Sequence, residues 1–171
     1  SYGRSVSEWS IRRMVISAPY RTLYHLALPR RRTDDRTMWL ANDNPGPSLR
    51  PRSAADAAML FGAGFATCPI ETFKAAHLDG EGRVIAITEQ AGLHDTVLIS
   101  TADLLREACI HRTRRLILAH NHPSGDPSPS ATDRLTTRRI AELLRLLDIE
   151  FVDHLIFARG GVVSFRAIGL L

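Results

Sequence analysis

With 171 residues, the chain has room for one ordinary domain and an appendage, since domains typically run about 100–150 residues. A hydrophobic content of 44% suits a packed core. No window approaches the roughly 18 uninterrupted apolar residues of a membrane span, and two cysteines are too few for a disulfide scaffold. Collagen-like, membrane-spanning and disulfide-stapled classes are thereby excluded. A reducing, cytoplasmic setting is expected, with Cys68 and Cys109 as small buried apolar residues.

The net charge of +4 is unevenly placed. Residues 1–52 hold ten arginines against Glu8, Asp34, Asp35 and Asp43, a balance of +6. The remaining twelve basic and fourteen acidic residues give −2. Such an arm reads either as a solvated leader or as a contact for DNA or an acidic partner. Pro19 and Arg21 interrupt its apolar patches, so it lacks the continuous hydrophobic stretch of a secretory signal. Asn42–Arg52, with three prolines and a glycine, reads as a linker. The expected organisation is therefore a basic, irregular arm and linker over residues 1–52 and a folded domain over 53–171.

Within that domain, Ser53 is a natural N-cap for an alanine-rich helix that ends near Gly62–Gly64. Residues 70–78 and 83–88 flank Asp79-Gly80-Glu81-Gly82 and predict a hairpin. Residues 101–111 read as a helix with Leu104, Leu105, Ala108 and Cys109 on one face. Leu116–Ala119 reads as a buried strand that runs into His120-Asn121-His122-Pro123 and a loop rich in Ser, Gly, Asp and Pro. A helix over 130–147 follows, with Leu135, Ile140, Leu143, Leu144 and Leu147 at helical spacing. Strands near 150–157 and 162–165 close the chain. The class is mixed α/β, a β-sheet flanked by helices.

The chemistry is concentrated in His120-Asn121-His122-Pro123, six further residues, and Ser130-Ala131-Thr132-Asp133. Histidines at i and i+2 at a strand end lie on the same side of the pleat, so both imidazoles can reach one ion. Asp133, in the first turn of the next helix, can face back toward them. Two histidines and a carboxylate fill three tetrahedral positions on zinc and leave the fourth for water. Ser130 and Asp133 alone also fit a helix-capping arrangement. His154 reads as a packed or hydrogen-bonded histidine. His25, His77, His94 and His111, with no partner at ligand spacing, read as surface or packing residues.

HNHPSGDPSPSATD resembles the JAMM (MPN/JAB) metalloprotease signature, H-x-H-P-x6-S-x-x-D, position for position. Together with Leu147-Asp148-Ile149, Val152-Asp153-His154-Leu155-Ile156 and Val163-Ser164-Phe165, it is similar to the bacterial RadC-like branch. The resemblance covers about residues 53–171. It implies an MPN/JAB-like fold with cytidine-deaminase-like layering, and zinc held by His120, His122 and Asp133. It also implies a glutamate on an early strand as general base. Glu71, Glu81, Glu89 and Glu107 all qualify by charge, and the run Ile70-Glu71-Thr72-Phe73 through Leu78-Asp79 is similar to the family strand, which selects Glu71. Ser130 inherits the role of hydrogen-bonding the oxyanion.

Two departures stand out. Residues 1–52 do not match the helix-hairpin-helix module usual before this domain, and Ser100-Thr101 stands where the family often carries His-Pro. Three function classes follow. One is a zinc-dependent peptidase or amidase that cleaves a peptide or isopeptide bond in a protein substrate. Another is a DNA repair or recombination accessory that binds DNA through residues 1–52. The third is a metal-stabilised interaction module without turnover. No membrane partner is expected.

Overall fold

The structure, a computed structural model, describes residues 40–42, 50–51, 53–62, 64–91 and 100–171, which belong to one compact unit. The expectations for most of the basic arm and linker, and for His25 and His94, lie outside these residues. The described elements are β1 (Leu40–Asn42), α1 (Ala54–Met59), a 3-10 turn (Phe65–Thr67), β2 (Thr72–Leu78), β3 (Val84–Ala91), α2 (Thr101–Ile110), β4 (Arg115–Asn121), α3 (Ala131–Leu146), β5 (Glu150–Ala158) and β6 (Gly161–Ser164). The strands form one mixed sheet in the order β1-β3-β2-β4-β5-β6. Among the described strands only β4 and β5 run parallel, and α3 connects them.

β4 is central because both its faces are covered, so its sequence is an almost unbroken apolar run ending in His120 and Asn121. Leu116, Ile117, Leu118, Ala119, His120 and Asn121 are all fully buried. Even-numbered residues face α2 and α3, where Leu116 and Leu118 pack with Phe73, Leu104, Ala108, Ile140, Leu144 and Phe151. Odd-numbered residues face α1 and the 3-10 turn, where Ile117 and Ala119 pack with Phe61, Phe65, Leu155 and Phe157. The result is the expected three-layer α/β arrangement. Each fully buried Leu or Ile contributes about 1.5–3 kcal/mol relative to exposure.

β2 and β3 form the expected hairpin, and β3 runs on to Ala91, beyond the predicted end at Thr88. Asp79 organises the turn: its Oδ1 accepts from the backbone N–H groups of Glu81 and Arg83, each at 2.9 Å. Gly82 has φ +78°, a conformation costly for a residue with a Cβ. β1, three residues within the segment read as arm and linker, pairs antiparallel with β3. A strand so short carries no readable periodicity.

Two packing expectations need correction. On α3 the buried residues are Asp133, Thr137, Ile140 and Leu144, while Leu135 and Leu147 are exposed. The inward stripe begins with polar residues, so a purely apolar reading rotated the helix. Cys109 is exposed and Cys68 partly so. The buried face of α2 is centred on Leu104 and Ala108, and Cys109 lies one residue, about 100° of helix, past Ala108. Ala substitution of Gly82 places a Cβ 2.8 Å from the Arg115 guanidinium at positive φ. Gly82→Ala should therefore lower stability by about 1–2 kcal/mol, read as a drop in urea midpoint at unchanged m-value. An unchanged midpoint would show that the turn relaxes without cost.

Candidate metal centre

The site is built where β2, β4 and α3 meet. In the antiparallel pairing of β2 with β4, Phe73 is opposite His120 and Lys74 opposite Ala119. Continuing that register by two residues sets Glu71 opposite His122. Phe73 stacks on the His120 ring at 4.8 Å and 25°, fixing the plane of the imidazole. Pro123 ends the strand, and the loop to α3 is held by Gly160 N–H donating to the Gly125 carbonyl at 3.1 Å. A Cβ on Gly160 would sit 3.0 Å from that carbonyl, so the close approach of the β5–β6 turn to the loop favours glycine here.

Asp133 serves two purposes at once. Ser130 and Asp133 form a reciprocal capping box: the Ser130 hydroxyl accepts from the Asp133 N–H at 3.1 Å, and the Asp133 carboxylate accepts from the Ser130 N–H at 2.7 Å. The same carboxylate reaches Nε2 of His120 at 3.3 Å and Nε2 of His122 at 3.5 Å. The capping and ligand readings of this pair are therefore compatible. The two Nε2 atoms are 3.0 Å apart. Ligand atoms on a tetrahedral ion with bonds of roughly 2.0–2.1 Å lie about 3.3–3.4 Å from one another, so this triad has the spacing a metal ion requires.

Glu71 joins the group, with one ligand atom from each of Glu71, His120, His122 and Asp133 within 4.8 Å of one another. Glu81, Glu89 and Glu107 are engaged elsewhere: Glu81 with Arg50 and Arg83, Glu89 with Lys74, and Glu107 with Arg106 and His111. Ser130 stands at the rim, and among the described residues its hydroxyl donates to no protein acceptor.

The donor chemistry also fits a cation. Nδ1 of His122 is 2.8 Å from the Asp126 carbonyl, which can only accept, so Nδ1 carries a proton and neutral His122 turns a bare Nε2 toward His120 and Asp133. Burial keeps His120 below the ordinary histidine pKa, with Asp133 opposing. The hydrogen bond to Asp133 raises the pKa of His122 against the effect of burial. Burial disfavours the Asp133 carboxylate, but the adjacent His120 and His122 imidazoles together outweigh it and hold Asp133 well below the usual carboxylate range. Glu71 is shifted upward, first by burial and further by Asp133, with His122 opposing.

Sequence reasoning did not single out Asn121, which lies between the two histidines and therefore on the opposite side of the pleat. It is fully buried. Its Oδ1 accepts from the Thr72 N–H at 2.8 Å, and its Nδ2 donates to the carbonyls of Cys68 and Ile70 at 3.0 and 3.2 Å. These bonds bracket Glu71 and hold its segment against β4. Thr137 was missed because the helix was read by its apolar residues alone, whereas its buried face opens with Asp133 and Thr137. His154 is hydrogen-bonded in the core, as its strand position suggested, and its partner is Nδ1 of His120 at 2.8 Å.

Comparison with known proteins adds the family context. Residues 51–170 match the family described as RadC-like JAB domain. A UPF0758 protein of Nitrosococcus oceani is 40% identical over 104 residues, covering 60% of this chain and 46% of that protein. One from a Roseiflexus species is 39% identical over 120 residues, covering 70% and 52%. One from Bordetella petrii is 37% identical over 148 residues, covering 85% and 62%. The chain thus spans about half the length of the curated relatives it matches.

Two predictions follow from the geometry. Metal binding must displace the proton that Asp133 helps His122 to hold. Metal affinity should therefore fall as pH drops through the raised His122 pKa, beginning above the ordinary value of 6.5 and approaching about tenfold per pH unit. Competition with a chelator across a pH series measures this, and a flat profile would show that His122 is not a ligand. Asn121→Leu removes three hydrogen bonds at similar side-chain size and should cost about 1–3 kcal/mol, seen in urea unfolding. Unchanged stability would show that the Glu71 segment is held by other contacts.

Proposed function

Because this chain belongs to the RadC-like JAB domain family, we propose that it is a zinc-dependent hydrolase that cleaves a peptide or isopeptide bond of a protein substrate. The observation that carries this reading is the convergence of Glu71, His120, His122 and Asp133 on one point at the edge of the core. Two imidazoles and one carboxylate form a donor set suited to zinc. A zinc ion held by His120, His122 and Asp133 supplies a Lewis acid that lets water ionise near neutral pH.

The chain's own groups then divide the work. Glu71, with its pKa displaced upward by burial, takes a proton from the attacking water and returns it to the departing nitrogen. The Ser130 hydroxyl, whose oxygen already accepts the Asp133 N–H, donates its hydrogen to the carbonyl oxygen as negative charge builds there. Asn121 keeps Glu71 in register with the histidines. Among the described residues no helix is long and apolar enough to cross a membrane. The free thiols of Cys68 and Cys109 suit a reducing compartment, so we place the protein in the cytoplasm.

A second reading rests on the +6 charge of residues 1–52 and assigns that segment to DNA, in a repair or recombination role. The two readings separate cleanly. His122→Ala should abolish stoichiometric zinc by elemental analysis. Glu71→Gln should keep zinc and stability yet lose about 100-fold or more of peptide or isopeptide hydrolysis. Wild-type turnover in Glu71→Gln would remove Glu71 from the base role. Deletion of residues 1–39, which spares β1, should leave hydrolysis intact and abolish any DNA affinity, which should itself fall steeply with salt. DNA affinity that survives the deletion would sink the second reading.

A further inference from the structure

A chain of buried polar groups runs from the backbone of α3 to the metal-facing edge of His120. Thr137 Oγ1 lies 2.6 Å from the Asp133 carbonyl and 2.7 Å from Nδ1 of His154. Nε2 of His154 lies 2.8 Å from Nδ1 of His120. Thr137, His154 and His120 are all almost completely buried, at 1%, 1% and 0% exposure. Nothing in the mechanism above uses Thr137 or His154.

The protons in this chain can be assigned by counting donors. A carbonyl only accepts, so the single hydroxyl hydrogen of Thr137 goes to Asp133 O, and Thr137 Oγ1 is left as an acceptor for His154. His154 must then carry its proton on Nδ1. Complete burial without a carboxylate hydrogen-bond partner keeps His154 neutral. Its Nε2 is therefore a lone pair, which accepts from His120 Nδ1–H. His120, also neutral, is left with a bare Nε2 at the point shared with His122 and Asp133.

The geometry points to His154 and Thr137 as positioning residues that fix the tautomer of His120, so that its Nε2 is presented, unprotonated, to a metal ion. The backbone carbonyl at the start of the relay belongs to Asp133, itself a member of the triad, so the helix that supplies one ligand also sets the tautomer of another. Stacking of His154 on Phe165, at 4.7 Å and 20°, holds the relay ring in plane. Asp153 in turn accepts from the Ser164 hydroxyl and the Arg166 N–H, and so pins the turn that carries Phe165. Histidine ligands ordinarily have their second nitrogen hydrogen-bonded to a carboxylate, carbonyl or water. Here a second histidine does this, and its own tautomer is set by a threonine.

The inference rests on the metal-site reading, and its test separates the two. Full-length 15N-histidine-labelled protein, metal-free and at about pH 8, above the ordinary histidine pKa of roughly 6.5, is examined by long-range 1H–15N correlation. His120 and His154 should both be Nδ1-protonated. A His120 proton on Nε2 overturns the proposal whether or not zinc binds. Zinc affinity is then measured by chelator competition. His154→Leu removes the acceptor and should weaken zinc binding by about 10–100-fold. His154→Gln restores an amide oxygen near the Nε2 position and should recover most of the loss. Thr137→Val, a near-isosteric change, should leave the fold intact, release the His154 tautomer and weaken binding in the same direction. Wild-type affinity in both His154→Leu and Thr137→Val would overturn the relay. Should His154→Leu fail to fold, the Thr137→Val affinity and the wild-type tautomers decide the matter. A wild-type protein that binds no zinc while showing the expected tautomers would instead sink the metal centre.

Discussion

The pairing of β2 with β4 is the constraint on which the site depends. Both strands lie inside the sheet and bury side chains on both faces, so a slip of one residue would exchange the two sets of core contacts. The register is therefore fixed by packing far from the chemistry, along Ala75, Ala76, Leu116, Ile117 and Leu118. Its consequence at the strand ends is the approach of Glu71 to His122. Asn121 secures the same alignment with its side chain, where the backbone ladder runs out. A catalytic arrangement placed at the end of such a ladder inherits the rigidity of the core.

The N-terminus of α3 supplies the remaining group, and it does so without a dedicated structural element. A capping box is an ordinary way to begin a helix, but its carboxylate usually faces solvent. Here the loop from Pro123 to Pro129 carries the first turn of α3 back over the end of β4, so the capping carboxylate also meets two imidazoles. Asp133 is buried as a result, and burial alone would favour its neutral form. The backbone N–H of Ser130 and the two histidines compensate. Capping and ligation thus use different lone pairs of one carboxylate, and the helix boundary and the site geometry are set together.

The core pays for this site in polarity. The face of α3 that would otherwise be wholly apolar carries Asp133 and Thr137 before it reaches Ile140 and Leu144. Opposite them, β4 and β5 contribute His120 and His154, which face α3 like Leu116 and Leu118. Buried polar groups are tolerated only when they are satisfied, and these four satisfy one another along a single path. A corresponding polar group sits farther along the sheet, where His77 bonds Thr113 and Thr88 at 2.8 and 2.9 Å, outside the cluster of Glu71, His120, His122 and Asp133. There the same residue types satisfy one another within the core. Histidine beside threonine is thus not itself a mark of function; the convergence of ligand atoms from Glu71, His120, His122 and Asp133 makes the difference.

The sequence by itself determined the mixed α/β class, the hairpin around Asp79–Gly82, the two long helices to within a residue or two, and the grouping of His120, His122 and Asp133. These are local properties: alternation, helical period, capping residues and turn residues act over a few positions. Glu71 was legible only through resemblance to a family strand, because four glutamates share its chemistry and nothing local separates it from the rest. The tertiary structure decided what long-range contacts alone can specify. Leu135 and Leu147 went to the surface because the orientation of α3 follows the polar groups it must meet across the core. Cys109 stayed exposed because α2 buries a narrower face than its sequence offers. Asn121, Thr137 and His154 gained their roles from partners 49, 17 and 34 positions away in the chain. No periodicity reports such pairs, since they exist only once the register of β2, β4 and β5 has been set by packing.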